Sequence, residues 1–141
     1  CSNETYSPLV ALTAAPTKTF SICPANFTGS EAGSAYFTYP ARYLDVFNNP
    51  TQNITLNWNA NDRPNRFTVY DENDNLVYST GWVGQATYTG PWGASLNTAL
   101  TGNATFTRDP GSTYYKLVVE AGPANPASPI SDSWNASFSC S

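Results

Sequence analysis

The stretch Gln52-Asn-Ile-Thr-Leu-Asn-Trp-Asn59 decides the fold class. Ile54, Leu56 and Trp58 take every second position, with Asn or Thr between them. Period two is the repeat of a β-strand with one buried and one wet face, because successive side chains point to opposite sides. The same alternation runs through residues 114–120 (Tyr115, Leu117, Val119) and 132–140 (Trp134, Ala136, Phe138, Cys140). Shorter pairs repeat it: Phe67 and Val69, Leu76 and Tyr78, Ala104 and Phe106. Further strands are expected at 17–23, 34–39 and 86–89. No window carries a capped 3.6-residue apolar stripe, and 95–101 would form a helical turn at most. Eleven Pro and nine Gly punctuate the runs. Eight or nine short strands with polar outer faces imply an all-β chain folded as one antiparallel β-sandwich, Ig-like or jelly-roll-like.

Residues 66–79 read as the best hairpin, with Asp71-Glu-Asn-Asp-Asn75 at its tip, since Asp and Asn tolerate the positive φ of tight turns. Gly122-Pro-Ala-Asn-Pro-Ala-Ser-Pro129 reads as a surface loop before the last strand. Residues 1–16 form a leader distinct from a sandwich domain at 17–141. In it, Pro8 and Pro16 bracket an apolar stretch from Leu9 to Leu12. That stretch is too short to span a membrane and lacks the basic start of a signal peptide. It suits an extended segment that packs on its own domain or adds to another subunit's sheet edge.

The 141 residues suffice for one buried core. Charged residues make up 11%, against roughly 25% in ordinary soluble domains, and aromatics 14%. A net charge of −4 excludes phosphate-backbone binding, so no nucleic-acid partner is expected. No apolar run is long enough for a transmembrane helix. The absence of His removes Ser-His-Asp and Cys-His catalysis and His-ligated zinc. The ten acidic residues form no designated pair, and there is no GxSxG or nucleotide loop, so no enzyme is expected.

Three cysteines are present: Cys1, Cys23 and Cys140. None lies in a CxxC pair, which disfavours a thiolate metal site. A Cys23–Cys140 disulfide would tie the first strand of the domain to the last, and the composition resembles that of secreted proteins. Cys1 has three readings: a lipid-bearing first residue, an inter-subunit bond, or one unit's link in a longer array. The array reading notes that Cys1-Ser2 and Cys140-Ser141 are the same dipeptide.

Two features point to ligands. Trp82, Tyr88 and Trp92 lie in a Gly-rich aromatic stretch and form a candidate carbohydrate-binding platform, because indole faces meet the C–H faces of sugars. Asp71, Asn73 and Asn75 have the D-x-N-x-N spacing of a calcium loop, but Gly is missing from its sixth position and Glu from its twelfth. Otherwise no cofactor is expected. Asp62, beside Asn59 and Asn61, is a second oxygen cluster of the same kind. Five Asn-x-Ser/Thr sequons, at Asn3, Asn26, Asn53, Asn103 and Asn135, slightly exceed chance and are candidate glycosylation sites. Arg66, ahead of a strand, is expected to pair with Asp62 or Asp45 and set the hairpin register.

The run from Leu56 to Gly84 resembles a module of secreted bacterial and phage proteins. Its pattern is A-x-x-x-P-x-R-F-x-V, a hairpin, V-x-D-T/S-G-x-x-G, and a last strand ending W-x-x-x-x-S-C. Ala60, Pro64, Arg66, Phe67, Val69, Val77, Thr80, Gly81 and Gly84 match it, as do Trp134, Ser139 and Cys140; Ser79 stands where many members carry Asp. Thr19-Phe-Ser-Ile-Cys-Pro-Ala-Asn-Phe-Thr-Gly-Ser30 is similar to repeats of Bacteroidetes surface proteins. The resemblance implies an extracellular, multi-domain, adhesive or structural setting with no known catalytic site.

The expected function is therefore a non-catalytic structural or adhesive building block of a cell-surface or filamentous assembly, with copies of itself or neighbouring domains as partners. The alternatives are a carbohydrate-binding module, with glycans as partners, and a lipoprotein anchored through Cys1.

Overall fold

The computed structural model describes residues 20–32, 36–60, 64–84, 99–122 and 132–141. Among these there is no helix. Ten strands follow in order: β1 (Phe20–Ile22), β2 (Ala25–Glu31), β3 (Phe37–Thr38), β4 (Arg42–Asp45), β5 (Asn53–Asn59), β6 (Asn65–Asp71), β7 (Leu76–Val83), β8 (Thr101–Thr107), β9 (Tyr114–Ala121) and β10 (Asp132–Cys140). They form two sheets. One has six strands in the order β1-β4-β9-β6-β7, with β3 also on β9; the other has four, β2-β10-β5-β8. The sheets pack as the expected β-sandwich.

The period-two pattern places the strands as read. Ile54, Leu56 and Trp58 of β5 face inward with Trp134, Ala136 and Phe138 of β10, against Phe67 and Val69 of β6 and Tyr115, Leu117 and Val119 of β9. Phe67 is fully buried between the two tryptophans, 5.9 Å from Trp58 in a stacked arrangement and 5.9 Å from Trp134 edge-on.

Several expectations change. The described residues alone hold ten strands, not eight or nine. Of the segment expected at 17–23, residues 20–23 are described and hold β1, and β2 begins beyond Cys23-Pro24 in the other sheet. Neither β2 nor β4 announces itself in the sequence. The last two inward positions of β2 are Gly29 and Glu31, and β4 has a single fully buried side chain, Leu44, so the alternation is weak. Strand β1 pairs with β4 in parallel, so the sandwich is not wholly antiparallel. Of the segment expected at 34–39, residues 36–39 are described and hold β3, which lies end to end with β4 along β9. The expectations at 86–89, for most of 95–101 and of the 122–129 loop, and for the leader 1–16 lie outside the described residues.

Each inward tryptophan of the four-stranded sheet sits opposite a glycine. Trp134 pairs with Gly29, and Trp58 with Gly102. The indoles lie over the bare backbone: a Cβ on Gly29 would stand 2.5 Å from Trp134 Nε1, and one on Gly102 2.3 Å from Trp58 Cζ2. These glycines are there for space.

Cys23 and Cys140 are joined, with Cα atoms 6.1 Å apart. The β2–β10 register pairs Ala25 with Phe138, so two residues further on the cysteines face each other. The bond holds the crossing from β1 to β2 against the end of β10, which clasps one sheet to the other. At the other end of β10 the carboxylate of Asp132 is fully buried. It accepts hydrogen bonds from the Tyr39 hydroxyl at 2.5 Å and from Asn65 Nδ2 at 3.1 Å. Both bonds fall on Oδ2, and their donors lie beside β3 and on β6, so this cluster also links the sheets.

Two stability measurements follow. Gly29→Ala and Gly102→Ala should each lower stability by about 1–3 kcal/mol, the usual range for overpacking, read as a lower urea midpoint. Replacing both Cys23 and Cys140 by Ser should cost about 2–5 kcal/mol, because the bond closes a loop of 117 residues.

Candidate functional site

The outer face of the six-stranded sheet carries aromatic and charged side chains side by side. Its side chains fall into rows set by strand register. One row runs Thr38, Glu120, Arg66, Trp82 across β3, β9, β6 and β7. Another runs Phe20, Tyr43, Lys116, Tyr70, Leu76 across β1, β4, β9, β6 and β7. Between them lie Val118, Thr68 and Ser79.

In the first row Arg66 binds Glu120 through both arms, Nε to Oε1 at 2.7 Å and a terminal nitrogen to Oε2 at 2.8 Å. Its guanidinium carbon also lies 4.8 Å from the centre of the Trp82 ring, within cation–π range. Tyr36 donates its hydroxyl to Glu120 Oε2 at 2.5 Å, accepts from Thr38 Oγ1 at 3.0 Å, and meets Trp82 edge-on at 6.4 Å. Burial pushes the Glu120 carboxyl up, but the bonds from Arg66 and Tyr36 outweigh it and hold the group below the ordinary glutamate value. The bond to Glu120 raises the phenol of Tyr36 and the guanidinium of Arg66.

Arg66 therefore does not pair with Asp45, whose Oδ1 instead accepts the Phe47 amide; Asp62 lies outside the described residues. The reason is register: Glu120 stands directly across from Arg66 on β9, while Asp45 faces Tyr114. Trp82 joins this cluster. Its expected companions Tyr88 and Trp92 lie outside the described residues, as do Cys1 and Asn3. No local pattern singles out Tyr36 or Glu120. The alternation of β9 marked Glu120 as outward, but only register names its partner.

In the second row Lys116 Nζ bonds Asp74 Oδ1 at 2.6 Å and lies 5.1 Å from the Tyr70 ring centre. Phe20 packs against Tyr43 and Tyr114 at 5.2 and 5.4 Å. Five large apolar or aromatic side chains on or beside this face are exposed: Phe20 (46%), Ile22 (73%), Tyr36 (51%), Phe47 (65%) and Leu76 (64%).

The hairpin tip forms as read, with Asp74 at φ 63°. The Asp71 carboxylate is occupied by its own turn: Oδ1 accepts the amides of Asn73 and Asn75 at 2.9 Å each, and Oδ2 accepts Asn75 Nδ2 at 3.2 Å. The Asn75 amide bond is the largest cause holding this carboxyl below its usual value. Calcium at Asp71, Asn73 and Asn75 would have to displace these bonds. Among the described residues no cluster of three His, Cys, Asp or Glu side chains is positioned for a metal.

The sequons Asn26, Asn53, Asn103 and Asn135 all lie on the outer face of the four-stranded sheet. Alternation explains their number: Asn-x-Ser/Thr is what a strand spells when both residues face water.

No protein-family model and no curated protein matches this chain. Solved structures do. The surface-associated copper-binding protein CorA of Methylomicrobium album BG8 is 9% identical, with a TM-score of 0.55 over 90% of this chain and 100% of that one. The enzymatically active domain of bacteriophage CBA120 tailspike protein 4 is 11% identical at TM-score 0.49, over 89% of this chain and 18% of that one. A carbohydrate-binding module of Clostridium stercorarium solved with cellobiose is 11% identical at TM-score 0.37, over 89% and 98%. At these identities the likeness is one of fold, and the class it defines is a β-sandwich.

An acid titration tests the Arg66–Glu120–Tyr36 cluster. The folded value of Glu120 lies below the unfolded one, so its contribution to stability is complete above about pH 4.3 and is lost as pH falls through the folded value. Glu120→Gln should flatten the acid limb of stability measured by denaturant unfolding from about pH 5 downward. An unchanged limb would remove the cluster's electrostatic role.

Proposed function

We propose that this chain is a non-catalytic contact module of an extracellular surface, a structural or adhesive building block that docks to protein through the outer face of its six-stranded sheet. One observation carries the reading: Phe20, Ile22, Tyr36, Phe47 and Leu76 are exposed on or beside one face, around the Arg66–Trp82 contact. Aromatic residues and Arg are the side chains enriched where proteins meet. Low overall charge lets copies approach without repulsion. The disulfide fits an oxidising compartment. The leader 1–16 is the segment that would reach a neighbouring subunit. Sedimentation velocity tests the docking face. Sedimentation should rise with concentration, and the triple variant Ile22→Ser, Phe47→Ser, Leu76→Ser should remain monomeric. A wild-type chain that stays monomeric throughout would count against self-assembly.

A second reading places saccharide at Trp82, supported by the guanidinium–indole contact beside the Glu120 carboxylate and the exposed Tyr36. Quenching of tryptophan fluorescence by added oligosaccharide, lost in Trp82→Ala, would favour it. Lipid anchoring through Cys1 would be seen as acyl chains in the intact mass.

A further inference from the structure

The other outer face differs in kind. On the four-stranded sheet the outward positions are the alternate residues from 26 to 30, 53 to 59, 101 to 107 and 133 to 139, and every one is Ser, Thr or Asn. Most are exposed; Thr55, Asn59 and Ser137 are half-buried. No outward position of these four strands carries a charge; the guanidinium of Arg42, from β4, reaches the β2 edge of the face, where it donates to the Thr28 carbonyl at 3.1 Å. Glu31 and Asp132 occupy inward positions at its end, Arg108 and Asp109 follow β8, and the rest belong to the six-stranded sheet and its hairpin.

Register turns these residues into rows. One runs Asn26, Ser137, Asn57, Asn103 across all four strands, and the next runs Thr28, Asn135, Asn59, Thr101. Thr55 and Thr105 hydroxyls touch at 2.8 Å across β5 and β8. Neighbouring groups repeat at roughly 4.8 Å across strands and roughly 6.7 Å along them.

We propose that this face is a binding surface for an uncharged, hydroxyl-rich polysaccharide chain. Each side chain on it both donates and accepts hydrogen bonds, as each sugar hydroxyl does. Its strands offer no charge to recruit an ionic ligand, since Arg42 at the β2 edge is held by the Pro40 and Thr28 carbonyls, and no large apolar group to drive protein docking. Lysine or glutamate here would keep its own hydration shell and hold a neutral chain off. Individual contacts are weak, but a repeating grid engages a repeating polymer at many points. The twist of a four-stranded sheet suits a flexible soluble chain better than a flat crystal face. The site is independent of the protein-docking face, which lies on the opposite side of the sandwich.

The reading excludes glycosylation at Asn26, Asn53, Asn103 and Asn135, since an attached glycan would cover the rows. Native gel electrophoresis of the full chain through soluble neutral polysaccharides (hydroxyethylcellulose, mixed-linkage β-glucan, xyloglucan, galactomannan) and an anionic one (polygalacturonate) tests it. Retardation is expected in at least one neutral polymer, insensitive to salt. Asn57→Lys and Asn103→Glu, each with wild-type urea unfolding, should weaken it at least about tenfold in Kd. Trp82→Ala and Tyr36→Ala on the other face should leave it unchanged. The proposal is overturned if no neutral polymer retards the chain, if only the anionic polymer does so, if the Asn57 and Asn103 variants bind normally, if Trp82→Ala abolishes binding, or if the protein carries glycans on these asparagines.

Discussion

Phe67 sits between two indoles, and the separation of the sheets depends on that contact. Trp58 and Trp134 come from the four-stranded sheet and Phe67 from the six-stranded one. Large rings so close to the midplane need room, and the sheet supplies it by placing glycine opposite each indole, Gly102 for Trp58 and Gly29 for Trp134. Dense packing of this kind is intolerant of added volume. The glycines, the tryptophans and Phe67 therefore act as one packing unit. Cys23–Cys140 and the Asp132 cluster then hold the two ends of β10 to the opposite sheet or its connections.

With the inside filled by this unit, the two outsides diverge chemically. The six-stranded sheet faces outward with rings, a bidentate ion pair and exposed apolar side chains. The four-stranded sheet faces outward with hydroxyls and amides alone. Such a division lets one rigid body make two unlike contacts, one through desolvated rings and guanidinium, the other through a grid of neutral hydrogen bonds. The same alternation that builds the core also sorts the exteriors, because each strand reports inward and outward residues separately.

Much of the fold was legible because alternation is local. Strands β5, β9 and β10 and the β6–β7 hairpin can be read from a few adjacent residues, and so can the Asp/Asn tip that turns at Asp74. Strand β2 was not, because Gly29 occupies an inward position and erases the apolar beat. Strand β4 was too short to show one. The place of Arg66 ahead of a strand marks it as an ion-pair former but does not name its partner, since Glu120 is 54 residues away and meets it only through the β6–β9 register. Trp82 was recognised as a surface aromatic, and its contacts with Arg66 and Tyr36 again come from pairing across strands.

Local pattern carries the all-β class, the inward and outward members of the strong strands and the turn chemistry, and composition favours the Cys23–Cys140 pairing. Tertiary structure alone decided which strands are neighbours, that β1 runs parallel to β4, that Glu120 answers Arg66, and that four scattered Asn-x-Ser/Thr strands share one uncharged face. The physical reason is range. Side-chain alternation is set by the backbone of a few consecutive residues, whereas strand order and register are set by how whole faces bury each other, which no short window contains.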